Sequence, residues 1–256
     1  MKLKVLAVAV AASFAFPMAA QAELKIGGDV GIFYTDSKEL QELGSEINFD
    51  GSSEIDGVTY YGHMELDVNG TGNSVRMDEV RVGAKGGFGE VILGEVDNAC
   101  DQFDPGSNDI WLGGQSSSCG GSDVNNIVYK NTMGNASFAV SHNPNADESA
   151  LGVKMGMGPV SVNLGYEDLD GTDLISYGVA GSFNGIDVSA EGNDNDAWGV
   201  NASYSMGNST FWAATGHNDD VGLGARTSHG NMDYIIEFAI PDEGDTAYVA
   251  GLRYRF

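Results

Sequence analysis

Residues 198–206 read WGVNASYSM. Every second residue (Trp198, Val200, Ala202, Tyr204, Met206) is large or apolar, and Gly199, Asn201, Ser203 and Ser205 stand between them. Successive side chains of a strand point to opposite faces, so this segment is a strand with one apolar and one polar face. The same period recurs in VTYYGHMELDV (58–68), where Thr59, Tyr61, His63, Glu65 and Asp67 share the polar side. It recurs again in VSVNLGY (160–166) and in MDYIIEFAI (232–240), which aligns Met232, Tyr234, Ile236, Phe238 and Ile240. No segment sustains a helical period of comparable quality, so the chain is all-β.

The connections set the strand count. Tight turns fall at Asp56-Gly57, Gly86-Gly87, Gly134-Asn135, Gly158-Pro159, Asn184-Gly185, Gly207-Asn208 and Gly230-Asn231. Such pairs favour short hairpins. Longer acidic loops alternate with them: TDSKELQE (35–42), NGTGN (69–73), residues 97–123, NPNADES (143–149), EDLDGTD (167–173), GNDNDA (192–197), HNDDVG (217–222) and PDEGD (241–245). Seven tight turns and eight loops make fifteen connections, hence sixteen antiparallel strands in one up-and-down meander. The spacing is about 15 residues per strand and connection, which suits strands of about 9–11 residues tilted across a bilayer.

The N-terminus supplies the compartment. MKLKVLAVAVAASFAFPMAAQA (1–22) has two lysines, an apolar run and a small-x-small ending at Ala20–Ala22, the pattern of a secretory signal peptide. The mature chain is then expected to be 23–256. Without Lys2 and Lys4, ten bases face 37 acids, a formal net charge of −27. Such a chain repels nucleic acid, and no basic patch offers a site for one.

Sixteen two-faced strands leave too few inward apolar side chains for a large soluble core. A transmembrane β-barrel resolves this, with apolar residues toward lipid and polar ones toward a wet lumen. Closure pairs every backbone group and removes exposed edges. The last strand, AYVAGLRYRF, places Tyr248, Leu252, Tyr254 and Phe256 on one lipid-facing side. The competing reading is a secreted acidic β-rich binding protein or adhesin, for which an exposed aromatic end would be a liability.

Residues 97–123, DNACDQFDPGSNDIWLGGQSSSCGGSD, are the exception among short connections. Loops of this length in compact folds are usually functional. This one holds both cysteines, Cys100 and Cys119, and in an oxidising compartment they are expected to form one disulfide. The histidines, His63, His142, His217 and His229, lie on separate segments without metal-ligand spacing. No catalytic set, metal site or cofactor motif is evident, so a barrel enzyme is the weakest reading.

VGAKGGFGEVILGEVD (82–97) and the terminal YRF (254–256) resemble the trimeric general porins of Gram-negative bacteria. The resemblance implies a sixteen-stranded outer-membrane barrel, usually a homotrimer, whose final Phe is read by the barrel-assembly machinery. It also implies that the long loop after the fifth strand, here residues 96–124, folds inward to constrict the pore. The expected constriction residues are Asp97, Asp101, Asp104 and Asp109, facing Arg76 and Arg81 across the lumen. Further lumen candidates are Glu46, Glu65, Asp67, Lys130, Arg226, Arg253 and Arg255. The chain departs from the family at Ile92, at Glu95-Val96 and at Val128, positions that are often basic, and its second loop is short for a subunit latch. The expected function is a passive, cation-preferring channel for small ions and hydrophilic solutes.

Overall fold

The alternating segments are realised as a closed barrel in a computed structural model that describes residues 23–42, 44–69, 74–104, 119, 124–169, 171–217, 220–242 and 244–256. The strands are β1 (Glu23–Thr35), β2 (Leu40–Glu42), β3 (Ser45–Ile55), β4 (Val58–Asn69), β5 (Ser74–Gly86), β6 (Gly89–Val96), β7 (Val124–Met133), β8 (Ala136–Asn143) and β9 (Glu148–Met157). They continue as β10 (Val160–Leu169), β11 (Thr172–Phe183), β12 (Ile186–Asn193), β13 (Trp198–Met206), β14 (Ser209–Gly216), β15 (Val221–His229), β16 (Met232–Ile240) and β17 (Ala247–Arg255). Neighbours in sequence pair antiparallel, and β17 pairs back onto β1. The final residue closes that seam: Phe256 N donates to Gly28 O at 3.0 Å, and Gly28 N to Phe256 O at 3.2 Å. Among the described residues no helix is long and apolar enough to cross a membrane, so any crossing is made by strands.

Seventeen hydrogen-bonded pieces make sixteen crossings, because β2 and β3 are two parts of one. Both pair with β1, but the register slips by one residue between Ile32↔Glu42 and Asp29↔Glu46. Side chains replace what the ladder loses there: Gly31 N donates to Ser45 Oγ at 3.1 Å, and Ser45 N to Glu42 Oε1 at 2.8 Å. Gly28 faces the slip at φ +152°, and a Cβ on it would stand 2.2 Å from the Glu46 carbonyl oxygen. The loop read as 35–42 is accordingly shorter. Its polar composition masked the strand end at Leu40–Glu42.

The faces follow the alternation. Along β16, Tyr234, Ile236, Phe238 and Ile240 are exposed outward, while Asp233, Ile235, Glu237 and Ala239 are buried inward. Leu252, Tyr254 and Phe256 are exposed outward at the terminal strand, and Tyr248 stacks at a tilt on Tyr34, 6.3 Å between centroids. Parts of the inner wall are apolar instead of polar. Phe33, Trp212, Ile235 and Val249 form one such patch, and Ile92, Val96 and Val128 another. Trp212, which its ring chemistry would put at a membrane girdle, therefore points inward. Phe211 takes the outward position, and Gly224 across the ladder leaves the space the indole fills. A one-residue difference in register decides the face of a side chain in a strand.

Candidate functional site: the loop and the inner wall

The chain leaves the fifth crossing, β6, and turns at once against the inner wall formed by β8–β11. Asn98 organises the turn. Its Oδ1 accepts from Cys100 N at 2.8 Å and Asp101 N at 3.3 Å, and its Nδ2 donates to Glu167 on β10. A 3-10 turn follows at Asp101–Phe103. Ala99 N donates to Ser141 Oγ on β8 at 2.9 Å, and the Ala99 methyl packs with Ala139 and Ala150, with Phe103 beside them.

Two glycines make the approach close enough. A Cβ on Gly152 of β9 would sit 1.9 Å from the Ala99 carbonyl oxygen. A Cβ on Gly165 of β10 would sit 2.3 Å from Cys100 Sγ. The start of the loop is thus seated on β8–β11, in a cradle where only glycine leaves room.

Cys100 and Cys119 form the expected disulfide, with Cα atoms 5.9 Å apart. Both are buried, and Cys100 Sγ lies 2.8 Å from Ser176 Oγ on β11. The bridge ties the first turn of the loop to a point nineteen residues on. Closing a loop of that size is worth roughly 3 kcal/mol in the chain-entropy model. Reduction is expected to raise single-channel current noise in planar bilayers. Unchanged traces after proven reduction would show that wall contacts alone hold the loop. Residues 105–118 and 120–123, among them Asp109 and Trp111, lie outside the described residues.

The expected site residues divide into separate groups. Asp101 and Asp104 come to Glu191, which projects inward from β12, so carboxylates meet carboxylates there. Asp97 accepts a hydrogen bond from Gln102 Nε2 through its carbonyl oxygen, 3.1 Å. Arg76 reaches Asp67 at 2.7 Å and Asp78 at 2.5 Å, and Arg81 contacts Glu79. Both arginines are therefore bound to acids of the β4–β5 hairpin.

Glu46 and Glu65 stand in hydrogen-bonding reach of each other. Lys130 Nζ lies 3.5 Å from Glu90 Oε2 and donates to Gln102 Oε1 at 3.1 Å, linking β7 to the loop. Beneath that link is an open recess of about 420 Å³, lined by Lys85, Glu90, Gln102, Phe103 and Lys130. Arg253 lies 3.8 Å from Asp29, and Arg255 contacts the buried Asp233. Arg226 stands inward on β15 opposite Ile235.

Sequence reasoning missed Glu79, Glu167, Glu191 and Ser176. The first is hidden by a bulge. The others lie on strands whose polar faces look alike until the loop shows which one it meets.

A closed sixteen-crossing barrel with an apolar outer face, polar inner wall and an internal loop defines a membrane channel. A family model described as Gram-negative porin matches residues 7–256, and the chain belongs to that family. A loop-deletion variant of OmpT, an outer membrane protein of Vibrio cholerae, is similar in structure. It has 13% sequence identity and a TM-score of 0.71, covering 92% of this chain and 99% of that one. A triple mutant of the Rhodopseudomonas blastica porin is similar at 16% identity and TM-score 0.72, covering 92% of this chain and all of that one. No curated protein sequence matches the chain. The protein is an outer-membrane porin, and its membership supports a channel over an enzyme.

Proposed function

We propose that the passage conducts cations in preference to anions. One observation carries this: five inward bases, Arg76, Arg81, Lys130, Arg253 and Arg255, each lie against a carboxylate, and Arg226 also stands inward, whereas two acid groups face other acids. Those groups are Glu46 with Glu65 on one wall, and Asp101 and Asp104 with Glu191 on the other. Those five bases are matched locally, and with 37 acids to ten bases over residues 23–256 the acids set the potential. At physiological salt the Debye length is about 8 Å, so a narrow passage retains that field. Rings of Asp and Glu favour cations for this reason.

The rest of the reading is consistent with this. Residues 1–22 act as the export signal, residues 96–124 narrow the pore, and the solutes are small ions and hydrophilic molecules moving passively. Three barrels assemble as a homotrimer in outer-membrane lipid, after insertion by the barrel-assembly machinery. Ion substitution in planar bilayers tests the selectivity. Replacing K⁺ by the less mobile Li⁺ is expected to lower conductance more than replacing chloride by acetate. The reverse order would overturn the proposal.

A further inference from the structure

The β4–β5 hairpin departs from regular pairing at one point. Met64 pairs with Val80 and Leu66 with Met77, so Glu65 stands alone opposite two residues, Asp78 and Glu79. Such a bulge places two consecutive side chains on the same side of the sheet, and bulges are over-represented beside functional sites. Here Met77 and Val80 are exposed outward, and both intervening acids reach inward groups: Asp78 meets Arg76, and Glu79 meets Arg81. The Val80 N–H displaced from the ladder donates to Glu95 Oε2 at 2.9 Å, so the irregularity is propped from β6.

His63 stands on the same inward face, two residues before Glu65. Its Nδ1 lies 2.8 Å from Asp50 Oδ1. Its Nε2 is shut off from solvent, without a hydrogen-bond partner, 3.8 Å from Glu65 Oε2 and 3.6 Å from Glu79 Oε2. With Nδ1–H donating to Asp50, Nε2 turns a lone pair toward two carboxylates. Three such atoms within reach of one another call for positive charge between them, supplied by a proton on Nε2 or by a metal ion.

We propose that His63, Glu65 and Glu79 form a binding site for a divalent first-row transition-metal ion on the wall of the passage. The three ligand atoms lie within 4.8 Å of one another. Bonds of about 2.0–2.2 Å in tetrahedral array put donor atoms about 3.3–3.5 Å apart, so the two measured separations need to shrink by only a few tenths of an ångström. One imidazole with two carboxylates suits zinc and its neighbours better than calcium or magnesium, which take oxygen ligands alone. Asp50 supplies the second contact typical of a metal-bound histidine, fixing the ring and the tautomer. Arg81 shares Glu79 and would have to keep its contact through the carboxylate's other oxygen. The ligands lie at i and i+2 on one strand and across a bulge on the next. No spacing along the chain betrays them.

Calorimetric titration of the folded wild-type barrel with Zn²⁺ tests the assignment. One tight site is expected above any weak acidic background. His63→Gln should lose it, and Asp50→Asn should weaken it by about 10–100-fold, the range for removing a second-shell partner. Cu²⁺ bound to the unaltered wild-type barrel gives a readout independent of variant folding. Its electron paramagnetic resonance should show hyperfine coupling to one imidazole nitrogen. Absence of a tight site in wild type, equal binding in a folded His63→Gln, or a copper spectrum without nitrogen coupling would each overturn the proposal.

Discussion

Replacing Gly152 with leucine is expected to raise the single-channel conductance while leaving the barrel folded. The inserted Cβ alone would meet the Ala99 carbonyl oxygen at 1.9 Å, and that oxygen belongs to backbone that cannot swing aside like a side chain. Either the sheet or the loop must move. β9 is held by full ladders to β8 and β10, while the loop rests on a few contacts through Asn98, Ala99 and Cys100. The loop therefore yields. Overpacking of this kind costs about 1–3 kcal/mol. That shifts the balance between seated and displaced loop by roughly 5- to 150-fold.

The disulfide does not prevent displacement, because it joins two points of the loop and not the loop to the wall. Gly165→Val should act alike, since its Cβ meets Cys100 Sγ and Ser176 Oγ, each at 2.3 Å. Gly156→Ala on the same strand is the control, with only the Asn135 carbonyl oxygen at 3.7 Å. Wild-type conductance in a folded Gly152→Leu barrel would mean that the seat on β9 does not set the passage.

The second large effect concerns closure of the barrel. Arg255→Ala leaves Asp233 with its side chain 2% exposed and a single hydroxyl partner, Ser228 Oγ at 2.7 Å. Removing one partner of a buried ion pair costs about 3–5 kcal/mol. Arg255 is itself 47% exposed, which places this loss at the low end of that range. The site lies on β16 and β17, beside the β17–β1 seam, so the damage falls where the sheet must meet itself. Arg76→Ala is the contrast. Arg76 is 70% exposed, and solvent screens such surface pairs so that they add little to stability. The temperature at which the unheated gel band converts to the denatured one should fall clearly for Arg255→Ala and hardly at all for Arg76→Ala. Restoring it with Asp233→Asn in the Arg255→Ala background would identify the stranded charge as the cause. Equal transition temperatures for the two single variants would contradict the account.

Much of this architecture was legible because the sheet period of two is written directly into residues such as Trp198–Met206 and Met232–Ile240. Composition placed the turns, and the turns counted the crossings. What alternation does not encode is register. The slip between β2 and β3, the inward face of Trp212 and the bulge at Asp78–Glu79 each change by one residue which neighbour a side chain meets. That is why Arg76 and Arg81, read as facing the loop, are found on acids of their own hairpin. It is also why Gly152 and Gly165, unremarkable as strand glycines, turn out to make room for the loop. The disulfide needed only compartment chemistry and a pair of cysteines, while its seat beside Ser176 depended on a fold-level contact.

The central claim is that an excess of inner-wall carboxylates selects cations. The zero-current potential across a KCl gradient tests it most directly, in wild type and in a Glu46→Gln/Asp104→Asn double variant. The account predicts a wild-type potential with the sign of K⁺ permeation, largest at low salt and fading toward 1 M, where the Debye length falls to about 3 Å. The double variant should retain less of it. A potential with the sign of chloride permeation, or one unchanged by removing both carboxylates, would contradict the account.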